Sequence, residues 1–365
     1  MGFRCGIVGL PNVGKSTIFN ALTAAGAGAE NYPFCTIEPN VGIVEVPDKR
    51  LDILADLVKT RKKVNTQMEF VDIAGLVKGA SKGEGLGNQF LGHIRQVDAI
   101  VHVVRCFEDD NIIHVEGGID PDRDRDVINM ELILADMETV DKRLNKARNM
   151  TKSGDKAAKM QVAFLEKLLA LLDSGQAARR IAIEDEIEDK LVKELCLLTM
   201  KPVLYVANVG EDDAVSGNDW VRRLQAAAQA EEAAVVMISG AIEEEISGLT
   251  TSEQKEFLAS LGMAESGLTR LIKAGYQLLG LQTFFTVGEK ETKTWTIPAG
   301  IKAPGAAGKI HSDFEKGFIR AEVIAYDDYV ACGSEAKAKD KGLMRVEGKD
   351  YVVADGDCMH FRFNV

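Results

Sequence analysis

The sequence has no uninterrupted apolar run near the eighteen or so residues that a membrane-spanning helix needs. It has no basic and then apolar leader of the kind that directs secretion. Its six cysteines are scattered, without the CxxC or Cys/His spacing of a zinc site or a disulfide framework. These absences predict a cytoplasmic chain with reduced thiols and no contact with a membrane.

Basic residues are scarce, since 44 lysines and arginines stand against 56 aspartates and glutamates, for a formal net charge of −12. Such a balance disfavours a protein that coats nucleic acid, so we expect no DNA binding, and any RNA contact must use a local basic surface. The excess of acid is largest between residues 160 and 280. With 46% hydrophobic and 27% charged residues, the chain of 365 residues is typical of a globular protein of two or three domains.

The strongest motif lies near the start, where GLPNVGKST occupies residues 9–17. A strand-like run precedes it and a helical pattern follows, which is the context that a phosphate-binding loop requires. Gly9 and Gly14 let the backbone approach phosphate oxygens. Lys15 is predicted to reach the β- and γ-phosphates, and the Ser16 hydroxyl to ligate Mg²⁺. The candidate triphosphate-binding residues are Asn12, Val13, Gly14, Lys15, Ser16 and Thr17.

A second motif, DIAG at residues 72–75, closes another strand-like run. Asp72 is predicted to hold Mg²⁺ together with Ser16, and Gly75 to offer its N–H to the γ-phosphate. Thr36 lies between the two motifs and is predicted to close over Mg²⁺ when a γ-phosphate is present. A lone loop threonine is more often a turn residue, and the two flanking motifs are what favours the switch role.

Leu76 stands where many GTPases carry a glutamine that orients the attacking water. Leucine cannot do so by hydrogen bonding, so hydrolysis is either slow or assisted. One candidate is Asn12, whose oxygen suits a monovalent cation such as K⁺. The other is His114, which follows a strand on the ligand side, although a single histidine in a mixed loop is more often structural. The catalytic candidates are Lys15, Gly75 and His114.

Base selection is predicted at residues 208–211, which read NVGE where guanine-specific proteins carry Asn-Lys-x-Asp. Val209 replaces the lysine that stacks on the base, and Glu211 is longer than the aspartate that accepts two hydrogen bonds from guanine. Guanine therefore loses its paired partner, while the Asn208 amide can serve N6 and N7 of adenine. These changes favour ATP over GTP. The alternative is an altered guanine site that still binds GTP.

Strand-like runs alternate with helical stretches over residues 1–126 and 200–280, which predicts an α/β fold with a doubly wound, mostly parallel sheet. Residues 127–199 break the alternation. Their two apolar seams at helical spacing predict an antiparallel, coiled-coil-like helical hairpin inserted in the nucleotide domain. Residues 281–365 contain short strands and glycine turns, so a small β-rich domain ends the chain.

Two surfaces are candidates for RNA contact. Residues 141–159, at the tip of the predicted hairpin, carry seven lysines and arginines against two aspartates. This tip is either a solvated helix face or an arm that contacts RNA. In the last domain, Phe314 and Phe318 lie among basic residues and suit either base stacking or the domain core. Those basic residues are Lys302, Lys309, His311, Lys316 and Arg320.

These motifs resemble the YchF, or Obg-like ATPase, family, a branch of the P-loop GTPases related to translation factors. The resemblance rests on residues 9–17, 72–87, 208–211 and 308–320 and extends over essentially the whole chain. It implies ATP hydrolysis in preference to GTP, ribosome binding, and a base pocket that is completed by Ser239, Gly240 and Ala241. It also implies a G domain at 1–126 and 200–280, a helical arm at 127–199, and a TGS domain of the β-grasp type at 281–365.

The main hypothesis is a ribosome-associated ATPase that acts as a nucleotide-controlled switch. We expect the arm and the TGS domain to contact the ribosome and the protein to be a monomer. One alternative is a GTP-dependent translation regulator of the same architecture, and another is a docking adaptor whose hydrolysis is incidental. A metabolic kinase is disfavoured because the sequence shows no arginine-rich lid over an acceptor site.

Overall fold

The computed structural model describes residues 3–26, 40–73, 86–109, 117–151 and 156–364. Its strands are β1 (Arg4–Val8), β2 (Val41–Glu45), β3 (Lys63–Val64), β4 (Gln67–Asp72), β5 (Ala99–Cys106), β6 (Val203–Val209), β7 (Ala234–Ile238), β8 (Leu281–Thr286), β9 (Thr292–Pro298), β10 (Phe318–Ile324), β11 (Arg345–Glu347) and β12 (Cys358–Phe363). Its helices are α1 (Lys15–Gly26), α2 (Lys49–Val58), α3 (Leu86–Arg95), α4 (Pro121–Thr151), α5 (Lys156–Asp173), α6 (Glu186–Leu195), α7 (Asp219–Ala230), α8 (Gly240–Ser247), α9 (Thr251–Ser260), α10 (Gly267–Leu278), α11 (Ala303–Ile310), α12 (Ser312–Lys316), α13 (Tyr326–Cys332) and α14 (Glu335–Asp340).

Six strands form the first sheet, in the order β2-β4-β1-β5-β6-β7. The pairs β4–β1, β1–β5, β5–β6 and β6–β7 are parallel. Strands β5 and β6 are buried along their whole length, as expected for parallel strands that are covered on both faces. The prediction of a mostly parallel α/β sheet is confirmed. Since the five strands of these pairs point the same way, their carboxyl ends meet at one edge, where a ligand is expected.

Helices α4 and α5 pack against each other around an apolar cluster that includes Val140, Leu144, Phe164 and Leu168. Met130, which its helical spacing from Ile133 and Met137 predicts to belong to this seam, is 47% exposed and lies outside the cluster. Helix α4 begins at Pro121 and packs against β5 and α7 as well as α5. The seam between the two helices therefore starts later along α4 than the spacing alone indicates.

A buried carboxylate fixes α4 at the base of this arm. Asp136 is 1% exposed and accepts hydrogen bonds from the backbone N–H groups of Leu198 and Thr199, both at 2.8 Å. The Thr199 hydroxyl also donates to Asp136, at 2.6 Å, and accepts from the backbone N–H of Ala178 at 2.9 Å. The short turn Leu198–Met200, which leads into β6, is thereby joined to α4.

By its contacts the chain divides into two compact units, Met1–Val44 with Glu69–Ala274, and Glu45–Met68 with Gly275–Val365. The second unit contains a sheet in the order β11-β10-β12-β8-β9-β3, in which β8–β9 and β10–β12 are antiparallel and β8–β12 is parallel. Helix α11 packs on this sheet through a core that includes Phe284, Ala306 and Phe361. The predicted fold class, with a small β-rich domain at the end, is confirmed.

The segment Glu45–Met68 packs within this second unit, whereas the sequence placed it in the nucleotide domain. Strand β3 pairs in parallel with β9, Lys63 opposite Thr292. Leu51 and Leu54 of α2 are buried in a cluster with Phe285. A pairing between residues so far apart in the chain leaves no local signal in the sequence.

No helix among the described residues is both long and apolar enough to cross a bilayer. The five cysteines in this part of the chain are free thiols, and Cys35 lies outside it. Burial raises the pKa of Cys5, Cys106 and Cys358 to about 12, so these thiols stay protonated and unreactive.

Candidate nucleotide site

The loop after β1 contains three residues with positive φ, which allow the chain to turn sharply. Gly9 has a φ of 156°, Asn12 of 61° and Gly14 of 93°. A Cβ built on Gly9 would lie 2.5 Å from the carbonyl oxygen of Val103, and one built on Gly14 would lie 2.1 Å from Nδ2 of Asn208. Both positions therefore require glycine, and the backbone forms the open cradle that a phosphate needs.

Lys15, the first residue of α1, crosses this loop. It is 7% exposed, and its Nζ donates a hydrogen bond to the carbonyl oxygen of Leu10 at 2.7 Å. Burial lowers the pKa of Lys15 to about 8, although the nearby charge of Asp72 opposes the change. The ammonium group is poorly solvated, so a phosphate oxygen placed beside it would be strongly attracted.

Asp72 ends β4 and lies opposite Ile7 of β1, which brings its carboxylate next to the loop. Burial raises the pKa of Asp72, while the Lys15 charge and a hydrogen bond from Ser16 oppose that rise. The Oδ1 atom of Asp72 is buried and has no hydrogen-bond partner within the described chain. A serine hydroxyl and a carboxylate with an unpaired oxygen, beside a phosphate cradle, fit Mg²⁺ as it is held in triphosphate sites.

Three predicted residues of the site, Thr36, Gly75 and His114, lie outside the described residues, as does Leu76. Their assigned roles as switch ligand, γ-phosphate donor and catalytic candidate remain predictions.

A cavity of about 770 Å³ extends from the loop to the carboxyl ends of β5 and β6, a volume within the range of ligand pockets. The structure brings most of the predicted residues to it, namely Asn12, Gly14, Lys15, Ser16, Thr17, Asn208, Val209, Glu211, Gly240 and Ala241. Val13 and Ser239 do not line the cavity, and they are 1% and 5% exposed. The phosphate loop and the predicted base loops thus open onto one space.

The side chain of Asn208 joins the loops. Its Nδ2 donates to the carbonyl oxygen of Val13 at 2.9 Å, and its Oδ1 accepts from the backbone N–H of Gly240 at 3.1 Å. Asn208 is 4% exposed. Both ends of the amide therefore hold protein backbone, where the sequence predicted contacts to adenine. One proton on Nδ2 and one lone pair on Oδ1 are left for a base.

Residues 107–109 form a wall of the cavity that the sequence did not single out. Arg105 holds this wall, because its Nε donates to the Phe107 carbonyl oxygen at 3.1 Å and its Nη2 to that of Asp109 at 3.2 Å. The Arg105 guanidinium also lies 4.6 Å from the centre of the Phe107 ring. The signal that could have found this wall is its place directly after β5, at the ligand edge of the sheet.

The comparisons with known proteins agree over the whole chain. Residues 4–150 match the family described as 50S ribosome-binding GTPase, and residues 281–364 match the YchF-GTPase C-terminal family, described as a protein of unknown function. The ribosome-binding ATPase YchF of Bacillus subtilis (strain 168) is 58% identical, and that of Escherichia coli O157:H7 is 55% identical, each over 100% of both chains. The solved structure of the Schizosaccharomyces pombe YchF GTPase superposes with a TM-score of 0.90 at 40% identity, covering 99% of this chain and 98% of that one.

Proposed function

This chain belongs to the YchF family, and from that premise we propose that it is a Mg²⁺-dependent ATPase whose bound nucleotide controls its association with the ribosome. One observation carries the proposal: the phosphate cradle, the buried Lys15 and the altered base loop open onto a single cavity. The names of the bacterial relatives, ribosome-binding ATPases, support the choice of nucleotide and partner. We also propose that the protein is cytoplasmic and acts as a monomer.

Under this proposal the chain accelerates hydrolysis by holding the triphosphate and neutralising charge. The ammonium of Lys15, already desolvated, would contact the β- and γ-phosphates and stabilise the negative charge that develops there. Asp72 and Ser16 would hold Mg²⁺, with Thr36 as a further ligand. When bound, the ion supplies charge neutralisation between the phosphates. The Gly75 N–H would donate to the γ-phosphate, and water would attack in line.

The position of Leu76 requires another way to assist the attacking water. We keep two candidates, K⁺ held by Asn12 and the imidazole of His114. Asn12 lines the cavity, which supports the first candidate. Turnover measured in K⁺ and in Na⁺ separates the two, because His114 acting alone predicts equal rates in both salts.

ATP is preferred over GTP in this proposal because of the base loop. Val209 and Glu211 both line the cavity, where the lysine and aspartate of guanine-specific proteins would stand. The alternative, a GTP-dependent regulator, draws support from the retained carboxylate of Glu211. Competition between ATP and GTP at equal Mg²⁺ concentration tests the choice.

Ribosome contact is proposed through the α4–α5 arm and the C-terminal domain. In the arm, Arg148 pairs with Glu166 at 2.8 Å, whereas Lys146 and Lys159 are exposed. Co-sedimentation of ribosomal subunits with the Lys146→Glu, Lys159→Glu double variant, in ATP, ADP and a non-hydrolysable analogue, tests the arm. Unchanged co-sedimentation would contradict its role.

In the C-terminal domain the aromatic residues favour the core over base stacking. Phe318 is 5% exposed within the core, and Phe314 is half-buried against it. RNA contact by this domain would therefore depend on basic side chains.

The docking-adaptor alternative makes a separate prediction, that a Lys15→Ala chain fully restores the cellular phenotype.

A further inference from the structure

A cleft opens in the sheet of the second unit, between β8 and β12. Strand β12 pairs with β10 along its length, from Phe363 opposite Phe318 to Cys358 opposite Ile324. On its other edge, β12 pairs with β8 at a single position, Cys358 opposite Phe285. Strand β8 ends one residue past that pair, at Thr286, whereas β12 continues to Phe363. The rest of this edge of β12 has no strand partner among the described residues, so a further strand can use it.

The cleft contains a cavity of about 370 Å³ with an apolar and aromatic lining. Met359 and Phe361 contribute from β12 and Trp295 from β9. At its mouth, Phe363 is 38% exposed and stacks on Phe314, with 3.8 Å between the ring centroids. Such a lining next to an open strand edge is the combination by which proteins bind extended peptides.

The charged residues of the lining are all acidic. They are Glu291, Glu322 and Glu335, and the lining contains no lysine or arginine. Glu291 is paired with Lys62 at 3.8 Å and Glu322 with Arg362 at 3.0 Å, and the Lys293 ammonium lies 3.9 Å from the centre of the Trp295 ring. Glu335 is exposed and forms no ion pair with any residue that the structure describes. The carboxylate of Glu335 is therefore the one in this lining that favours a cationic side chain on a partner.

We propose that this cleft binds a short extended protein segment in which apolar side chains alternate with lysine or arginine. The segment adds as a strand to the open edge of β12, its apolar side chains enter the aromatic cavity, and a basic side chain pairs with Glu335. The lining of this cleft shares no residue with that of the nucleotide cavity, so this proposal can be tested independently of the proposed ATPase activity.

The fluorescence of Trp295 provides a direct test in the full-length chain. The chain has two tryptophans, so a Trp220→Phe variant leaves Trp295 as the reporter. We expect an acetylated peptide of three Val-Lys repeats to change its emission saturably. A matched Val-Glu peptide should bind at least about tenfold more weakly. A Val-Lys peptide N-methylated on alternate residues should also lose affinity, because it cannot pair with β12.

Variants separate this site from general charge attraction. Glu335→Lys should weaken the Val-Lys peptide about tenfold, whereas Glu256→Lys, the same change on the exposed face of α9, should leave it unchanged. Thermal unfolding checks that both variants are folded. The proposal is overturned if the Val-Lys peptide leaves the emission of Trp295 unchanged, or if the two variants bind this peptide equally. It is also overturned if the Val-Glu peptide or the RNA oligouridylate binds with the same affinity as the Val-Lys peptide.

Discussion

Replacing Asn208 by alanine removes the link between the phosphate loop and the start of α8. The carbonyl of Val13 and the N–H of Gly240 each lose a hydrogen-bond partner in a site that is almost fully buried. An unpaired buried backbone group costs about 1 to 3 kcal/mol. Water entering from the adjoining cavity can pair one of them, so we expect the free energy of unfolding to fall by about 1 to 3 kcal/mol.

The same variant should weaken ATP binding, because the cradle is no longer held in its binding conformation. If the variant destabilises the nucleotide-bound form by about 1.4 kcal/mol more than the free form, the affinity for ATP drops about tenfold. The measurements are urea unfolding and titration with a fluorescent ATP analogue, both in Mg²⁺.

Thr199→Ala is the matched control. Thr199 is 3% exposed and, like Asn208, donates one hydrogen bond and accepts one, but it lies at the opposite end of β6. We expect a similar loss of stability with little change in ATP affinity. If Asn208→Ala bound ATP as the unmodified chain does, or if both variants lost affinity equally, the role assigned to Asn208 would be wrong.

Three further predictions concern the proposed ATPase activity. Folding lowers the pKa of Lys15 from 10.5 to about 8. Between these two pH values the unfolded chain binds more protons than the folded chain. The contribution of Lys15 to folding stability therefore rises with pH across that window. Bound triphosphate favours the ammonium form of Lys15, so calorimetry should show ATP affinity falling by up to about tenfold per pH unit above pH 8. The Lys15→Arg variant should show no such fall. A pH-independent affinity of the unmodified chain would refute the assignment. The Val209→Lys, Glu211→Asp double variant should recover GTP binding, and an unchanged nucleotide preference would contradict the account of base selection. His114→Ala should lower turnover with ATP affinity near normal, whereas an undiminished rate would make His114 structural.

The candidate phosphate loop could be predicted from the sequence, because its motif consists of neighbours in the chain. Gly14 and Lys15 follow one another in the loop, and Asp72 ends a strand that lies beside it. Periodicity likewise predicted the parallel sheet and the helical arm, since buried strands and amphipathic helices repeat locally.

The rest depends on contacts between distant parts of the chain. The motif at residues 208–211 predicts that Asn208 contacts adenine, and only the fold shows that its amide binds backbone on two other loops. Arg105 and the wall at 107–109 were not predicted, because the end of a buried strand carries no motif. The pairing of β3 with β9 was missed because Lys63 and Thr292 are far apart in the chain.

Calorimetric titration of the unmodified chain with ATP and with GTP, at equal Mg²⁺, tests the central claim most directly. The arrangement of Val209 and Glu211 predicts one saturable site for ATP and affinity for GTP at least about tenfold lower. Tighter binding of GTP, or no binding of either nucleotide, would contradict it.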